Sequence, residues 1–151
     1  MTRKILVCIL FFVIYFLPSA AMAGGLSSNW GEVVVNNVEP GKSYDLNKEA
    51  GTFFTLKNNF DSDTVLKLQV LEPQDSELKP GYEPIPDVSW ISVPKEVKIG
   101  AMQEKTVPIQ LRLPADAQLK GRKFHVWVWS YTFGQAVGVG LKSRILINVS
   151  E

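Results

Sequence analysis

The chain is poor in the residues on which most site chemistry depends. Its 151 residues include one cysteine, Cys8, and one histidine, His125. Cys8 lies inside the apolar run from Ile5 to Leu17, which follows Arg3 and Lys4 and leads into a small-residue stretch closing at Ala21-Met22-Ala23. That order is the pattern of a secretory signal peptide, and the run is shorter than the roughly 20 residues a membrane-spanning helix needs. Cleavage is expected after Ala23, which makes residues 1–23 the signal peptide and leaves a mature chain without cysteine, free of lipid and without stable membrane insertion. No disulfide then holds the fold, although an exported protein meets a compartment that would permit one. Stability has to come from a core.

The single histidine excludes more. A zinc site would have to be assembled from one imidazole and carboxylates, and a catalytic triad would need Ser130 or Ser143, which alternate to the opposite side of the sheet from His125. No metal, cofactor or catalysis is expected. A surplus of either charge is missing too: without Arg3 and Lys4, fourteen basic residues stand against fifteen acidic ones, about −1 in all. That balance offers nucleic acid or an anionic membrane no electrostatic attraction.

Helical periodicity is also absent, and period-two alternation takes its place. Short runs rich in β-branched and aromatic residues occupy 32–38, 52–59, 64–72, 88–93, 95–99, 105–113, 123–133 and 136–149, with Pro, Gly, Asn and Asp between them. Val65, Lys67 and Gln69 alternate with Leu66, Leu68 and Val70, and Val107, Ile109, Leu111 and Leu113 share one face against Gln110 and Arg112. Seven or eight such strands in one domain read as an all-β, immunoglobulin-like antiparallel β-sandwich over 32–151, preceded by the signal peptide helix and a flexible lead, 24–31. Pro108 predicts an edge position or a bulge. The one long irregular stretch, 73–90, carries four prolines, and Tyr82, Ile85 and Trp90 are expected to pin it to the body.

The succession "GTFFTLKNNFDSDTVLKLQVLEP" and "WISVPKEVKIGAMQEKTVPIQLRLPADAQLKGRKFHVWVW" resembles bacterial envelope and secreted immunoglobulin-like domains of the WxL-interacting and major-sperm-protein-like kinds. The shared elements are an asparagine pair ending one strand, a strand of "TV.L.V" type, a "V.I......TV.I.L.LP" segment, and a glycine before the next long strand. They cover residues 32 to 149 and encode architecture more than function. The resemblance implies that Phe124, Val126 and Val128, after Gly121, point inward. The chain departs from the WxL-interacting pattern in having no second domain and no C-terminal anchor, so a wall-anchoring role is not implied.

That inward face leaves "KFHVWVWSYTF" with a second apolar face: His125, Trp127, Trp129, Tyr131 and Phe133. With Gly134-Gln135 as a two-residue turn, Phe133 pairs with Ala136, Tyr131 with Gly138, Trp129 with Gly140, Trp127 with Lys142 and His125 with Arg144. The result is an aromatic shelf over glycines with a basic end. Such a surface is either covered by the chain's own lead (Leu26, Trp30) or long loop, or it binds something.

Other motifs fail on their spacing. In "GQAVGVGLKS" Leu141 separates the last glycine, Gly140, from Lys-Ser, and a strand rather than a helix follows, so this is no phosphate loop. "DSDT" lacks the later glycine and glutamate of a calcium loop, and "NVS" at the C-terminus is an incidental glycosylation pattern. What remains is an exported, non-catalytic binding or assembly module of the bacterial cell envelope, periplasmic or extracellular. Its expected contact residues are His125, Trp127, Trp129, Tyr131, Lys142 and Arg144, and its expected partner is an envelope protein. Two other readings are a polysaccharide on the same shelf and a pilus- or chaperone-like subunit that exchanges a strand.

Overall fold

The structure, a computed structural model, describes residues 25–134 and 138–151. The expected signal peptide and Gln135 of the expected Gly134-Gln135 turn lie outside the described residues. In chain order the elements are β1 (Leu26–Ser28), β2 (Glu32–Val38), β3 (Ser43–Asp45), α1 (Leu46–Glu49), β4 (Thr55–Asn58), β5 (Thr64–Leu71), β6 (Glu83–Pro84), β7 (Ile91–Ser92), β8 (Glu96–Ile99), β9 (Glu104–Thr106), β10 (Gln110–Arg112), β11 (Lys123–Thr132) and β12 (Gly140–Val149).

They form an all-β, immunoglobulin-like sandwich. Its larger layer runs β2-β12-β11-β5-β8, with β6 paired to the start of β11; β1-β4-β9 and β3-β10-β7 are two smaller sheets. Alternation explains the core between them. Phe124, Val126 and Val128 of β11, Ile145 and Ile147 of β12, and Leu66 and Leu68 of β5 point inward and join one buried cluster with Leu56, Ile91 and Leu111 of the smaller sheets. The inward face expected for β11 is the one observed.

Several features differ from the antiparallel sandwich of seven or eight strands read from the sequence. The described strands number twelve because short pieces were not visible as patterns. Two pairings are parallel, β2 on β12 and β6 on β11. The lead expected to be flexible contains β1, which pairs with β4, and its Trp30 is buried with its ring 5.2 Å from Phe54. An apolar residue of that size is held where it can be removed from water.

Pro108 splits the run 105–113, so that β9 belongs to one small sheet and β10 to the other. Proline cannot donate to a ladder, and the groups around the break need other partners. They find them at α1: buried Asn47 donates from Nδ2 to the Val107 carbonyl at 3.0 Å, and the Leu46 amide donates to the Ile109 carbonyl at 2.9 Å. Asp45 caps α1 by accepting from the Asn47 amide.

Register in the last hairpin is shifted by two residues from the expected one. Trp129 stands opposite Lys142, Trp127 opposite Arg144, His125 opposite Leu146 and Tyr131 opposite Gly140. The ladder closes earlier because Thr132 serves Val139 twice: its amide donates to the Val139 carbonyl at 2.8 Å, and its hydroxyl accepts from the Val139 amide at 2.9 Å. The connection is therefore longer than two residues. A two-residue slip preserves sidedness, so the faces stand although every partner changes.

Candidate binding face

The outer face of β11 carries His125, Trp127, Trp129 and Tyr131, and it divides into a covered half and an open half. On the inner face, Phe124, Val126, Val128, Ser130 and Thr132 are all buried.

The covered half lies under residues 73–85. Gln74 and Glu77 bracket a 3-10 turn at Asp75–Glu77; the chain then returns to pair β6 with β11 at Phe124 and His125, where the Ile85 amide donates to the His125 carbonyl at 3.2 Å. Of the three residues expected to pin this stretch, Ile85 is buried and Trp90 meets Phe124 edge-on at 6.1 Å, while Tyr82 is only half-buried. Beneath it His125 has no exposed surface, so it is not available as the contact residue expected from the sequence. Its Nδ1 accepts from the Lys79 amide at 3.3 Å, which places the proton of the neutral ring on Nε2. Burial, reinforced by the Arg144 cation, pushes its pKa down to about 4. Its ring meets Trp127 edge-on at 4.9 Å.

Trp127 is 9% exposed and therefore not the open platform residue expected. Arg144 lies over its ring at 4.7 Å and Lys142 at 5.7 Å. The two cations are themselves answered. Lys142 pairs with Glu77 at 2.7 Å, and Glu32 of β2 receives Arg144 at 2.8 Å and Lys79 at 3.0 Å. The indole Nε1 of Trp127 lies near Glu77 without forming a complete hydrogen bond, and Glu77 is held below the usual carboxylate range mainly by Lys142. Farther along, Arg122 grips Glu83 through two bonds of 2.6 and 2.7 Å. The basic end of the shelf is thus neutralised by the chain itself. The acids responsible, Glu32, Glu77 and Glu83, were not foreseen. For Glu77 and Glu83 the sequence signal was the presence of carboxylates in the long loop opposite a basic strand; Glu32, in β2, carried none.

The open half begins one step along. Trp129 and Tyr131 are half-buried and stacked on each other, centroids 4.2 Å apart and planes 22° apart. Trp129 lies over Gly140, where a Cβ would come within 2.7 Å of its Nε1; glycine is what lets the indole lie down there. Phe133 is 61% exposed, with Lys67 Nζ 3.6 Å above its ring, and Val65, also on the outer face, is 37% exposed. Beside Tyr131 is a shallow hollow of about 380 Å³ lined by Lys67, Gln69, Lys95 and Glu96 over Leu68. Of the six residues expected to form the site, Trp129 and Tyr131 are in the open half, His125 and Trp127 are sealed, and Lys142 and Arg144 are engaged in ion pairs. Phe133, Val65 and the β5–β8 lysines complete the open surface.

Among the described residues no cluster of side chains could hold a metal ion, and no helix is long and apolar enough to cross a membrane.

No family model and no curated protein matches this sequence. Solved structures do match in fold. The PapD-like domain 7 of human CEP192 shares 13% identity over 83% of this chain and 85% of that domain, with a TM-score of 0.58. The periplasmic chaperone SfaE shares 12% identity over 84% of this chain, with a TM-score of 0.53. A candidate carbohydrate-binding protein from Bacteroides ovatus shares 13% identity over 84%, with a TM-score of 0.59. The chain spans 59% of the chaperone's length and 37% of the Bacteroides protein's. Identities this low carry the immunoglobulin-like fold and nothing finer. They do not single out the WxL-interacting or major-sperm-protein-like kinds.

Proposed function

We propose that the protein is an exported, non-catalytic binding module of a bacterial cell envelope, working in the periplasm or outside the cell, and that an envelope protein docks on the open half of its outer face. The observation that carries this reading is the juxtaposition of Phe133 and Val65, both exposed, with the half-buried Trp129 and Tyr131 on one side of the sheet. Aromatic anchors of this kind supply much of the affinity in protein interfaces. The leader up to Ala23 supports export, with a domain of residues 32–151 behind it, and the chaperone and binding domains among its fold neighbours agree with a role without catalysis.

The geometry favours a protein over a polysaccharide. A sugar chain stacks on aromatic rings whose faces are free; here Trp129 and Tyr131 each spend one face on the other, and Trp127 is occupied by two cations and His125. Strand exchange needs a free sheet edge, whereas the aromatics sit on β11, which has β12 on one side and β5 with β6 on the other. The test is capture from envelope extract on the immobilised mature chain, run beside Phe133→Ser. A protein retained by the wild type and lost with the variant is the expected result. Retention that ignores Phe133, or retention of glycan alone, overturns the reading.

A further inference from the structure

The covered half shows how this face is satisfied. Four cations there are met by carboxylates: Lys142 by Glu77, Arg144 and Lys79 by Glu32, and Arg122 by Glu83. Two of those acids, Glu77 and Glu83, arrive on the segment that also lays apolar and backbone groups over His125 and Trp127. The open half repeats the cationic pattern with fewer acids, Glu96 being the carboxylate among its lysines. Lys67, Lys95 and Lys98 surround the exposed apolar residues: Lys67 pairs with Tyr131 across the sheet, Lys98 pairs with Val65, and Lys95 lines the hollow beside Tyr131. Glu96 answers Lys67 at 3.9 Å, and Lys95 and Lys98 have no ion pair among the described residues. The backbone edge beside Lys98 is partly taken, since its carbonyl accepts from Lys105 Nζ at 3.4 Å, so the contact is made by side chains.

Resting on the reading that a protein docks here, we infer that the partner presents a short acidic segment, with carboxylates on Lys95 and Lys98 and an apolar side chain among Phe133, Val65 and Tyr131. Complementary charge at the rim orients such a contact and speeds its formation, while the apolar centre supplies affinity. An uncharged segment would leave the lysines without a role, and a basic one would be repelled by them.

The test uses the mature chain and three labelled probes: an alternating Glu-Val peptide, its Lys-Val counterpart and polygalacturonate. Anisotropy should report binding of the Glu-Val peptide alone, weakening severalfold between about 50 and about 500 mM salt as the Debye length shrinks. Lys95→Glu combined with Lys98→Glu should weaken it about tenfold, with the melting curve unchanged, since the exchanges are on the surface. A folded protein that ignores the Glu-Val peptide, binds both peptides equally, shows no salt dependence or prefers polygalacturonate overturns the inference. The same variants in the envelope capture separate the two claims. If Phe133→Ser loses the envelope protein and the lysine reversals keep it, the acidic segment is refuted while the docking face stands.

Discussion

His125 and Trp127 share a face of one strand with Trp129 and Tyr131, yet the first two are sealed from water and the second two are only half-buried. The cause lies in the neighbouring strand. β5 accompanies β11 from Thr132 back to Trp127, where Leu71 stands opposite, and there it ends. The chain turns at buried Pro73, crosses the outer face and comes back as β6 beside Phe124 and His125. Residues that β11 presents at and beyond the last residue of β5 therefore fall beneath the crossing, and those farther back along β5 do not. Alternation decides which side of a sheet a residue takes; the place where the adjacent strand stops decides whether that side stays wet.

The sharpest control for this comparison is the opposite face, buried along its whole length. Val128 is fully buried between Val70 and Ser143, and Val128→Asp would place an unpaired carboxylate in the core. Its cost is comparable with the whole stability of about 5–15 kcal/mol for a domain, so circular dichroism should show no cooperative melt. A folded variant would mean that the faces of β11 are inverted.

The next effect separates the two halves directly. Trp127→Ala should cost about 3–5 kcal/mol, as truncation of a buried aromatic does. Trp129→Ala, half-buried, should cost about 1–2 kcal/mol. Paired urea titrations measure both, and equal losses would erase the distinction between covered and open halves.

Protonation offers a smaller perturbation confined to the covered half. Folded His125 titrates at about 4, below the ordinary unfolded value near 6.5, so the unfolded chain binds the extra proton first. Its contribution to stability is whole above about pH 6.5 and declines as pH falls toward 4. Between pH 7 and 5 the loss should be about 1–2 kcal/mol. Glu32, Glu77 and Glu83 are held below the usual carboxylate range by their Lys and Arg partners, so their own losses set in at lower pH. In His125→Phe the decline between pH 7 and 5 should flatten; if it persists unchanged, the seal over His125 is looser than the structure shows.

Much of this was legible before the fold was known. Sidedness in β11 and the inward set Val107, Ile109, Leu111 and Leu113 follow from two-residue periodicity, and proline's missing donor marked Pro108 as irregular, read as an edge or a bulge, where the run in fact passes from one small sheet to the other. The partners of Trp127 and Trp129 were not legible, because a ladder's register depends on where it closes, and the closing contact is one threonine hydroxyl on the Val139 amide. Covering of this face by the long loop was one of the readings, but that the loop seals His125 and Trp127 and leaves Trp129 and Tyr131 open was not legible. The seal over His125 depends on Glu32, Glu77 and Lys79, which lie 93, 48 and 46 residues away in sequence, and no local pattern links residues so separated. Short strands such as β1 and β6 carry too few residues to show a period, and only pairing reveals them.

The smallest expected effect on stability tests the open half most directly. Phe133 is 61% exposed, follows the last ladder residue of β11, and has Lys67 rather than an apolar neighbour over its ring. Phe133→Ser gives up that exposed cation–π contact, worth about 0.5–1 kcal/mol, and little buried area. Its melting curve should stay within about 1 kcal/mol of the wild type, unlike that of Trp127→Ala. Binding should respond in the reverse order, because an anchor acts through area buried only in the complex. Phe133→Ser should then abolish partner capture in a protein that remains fully folded. A large stability loss in Phe133→Ser would show that something in the free protein already covers Phe133, and the outer face of β11 would have no open half.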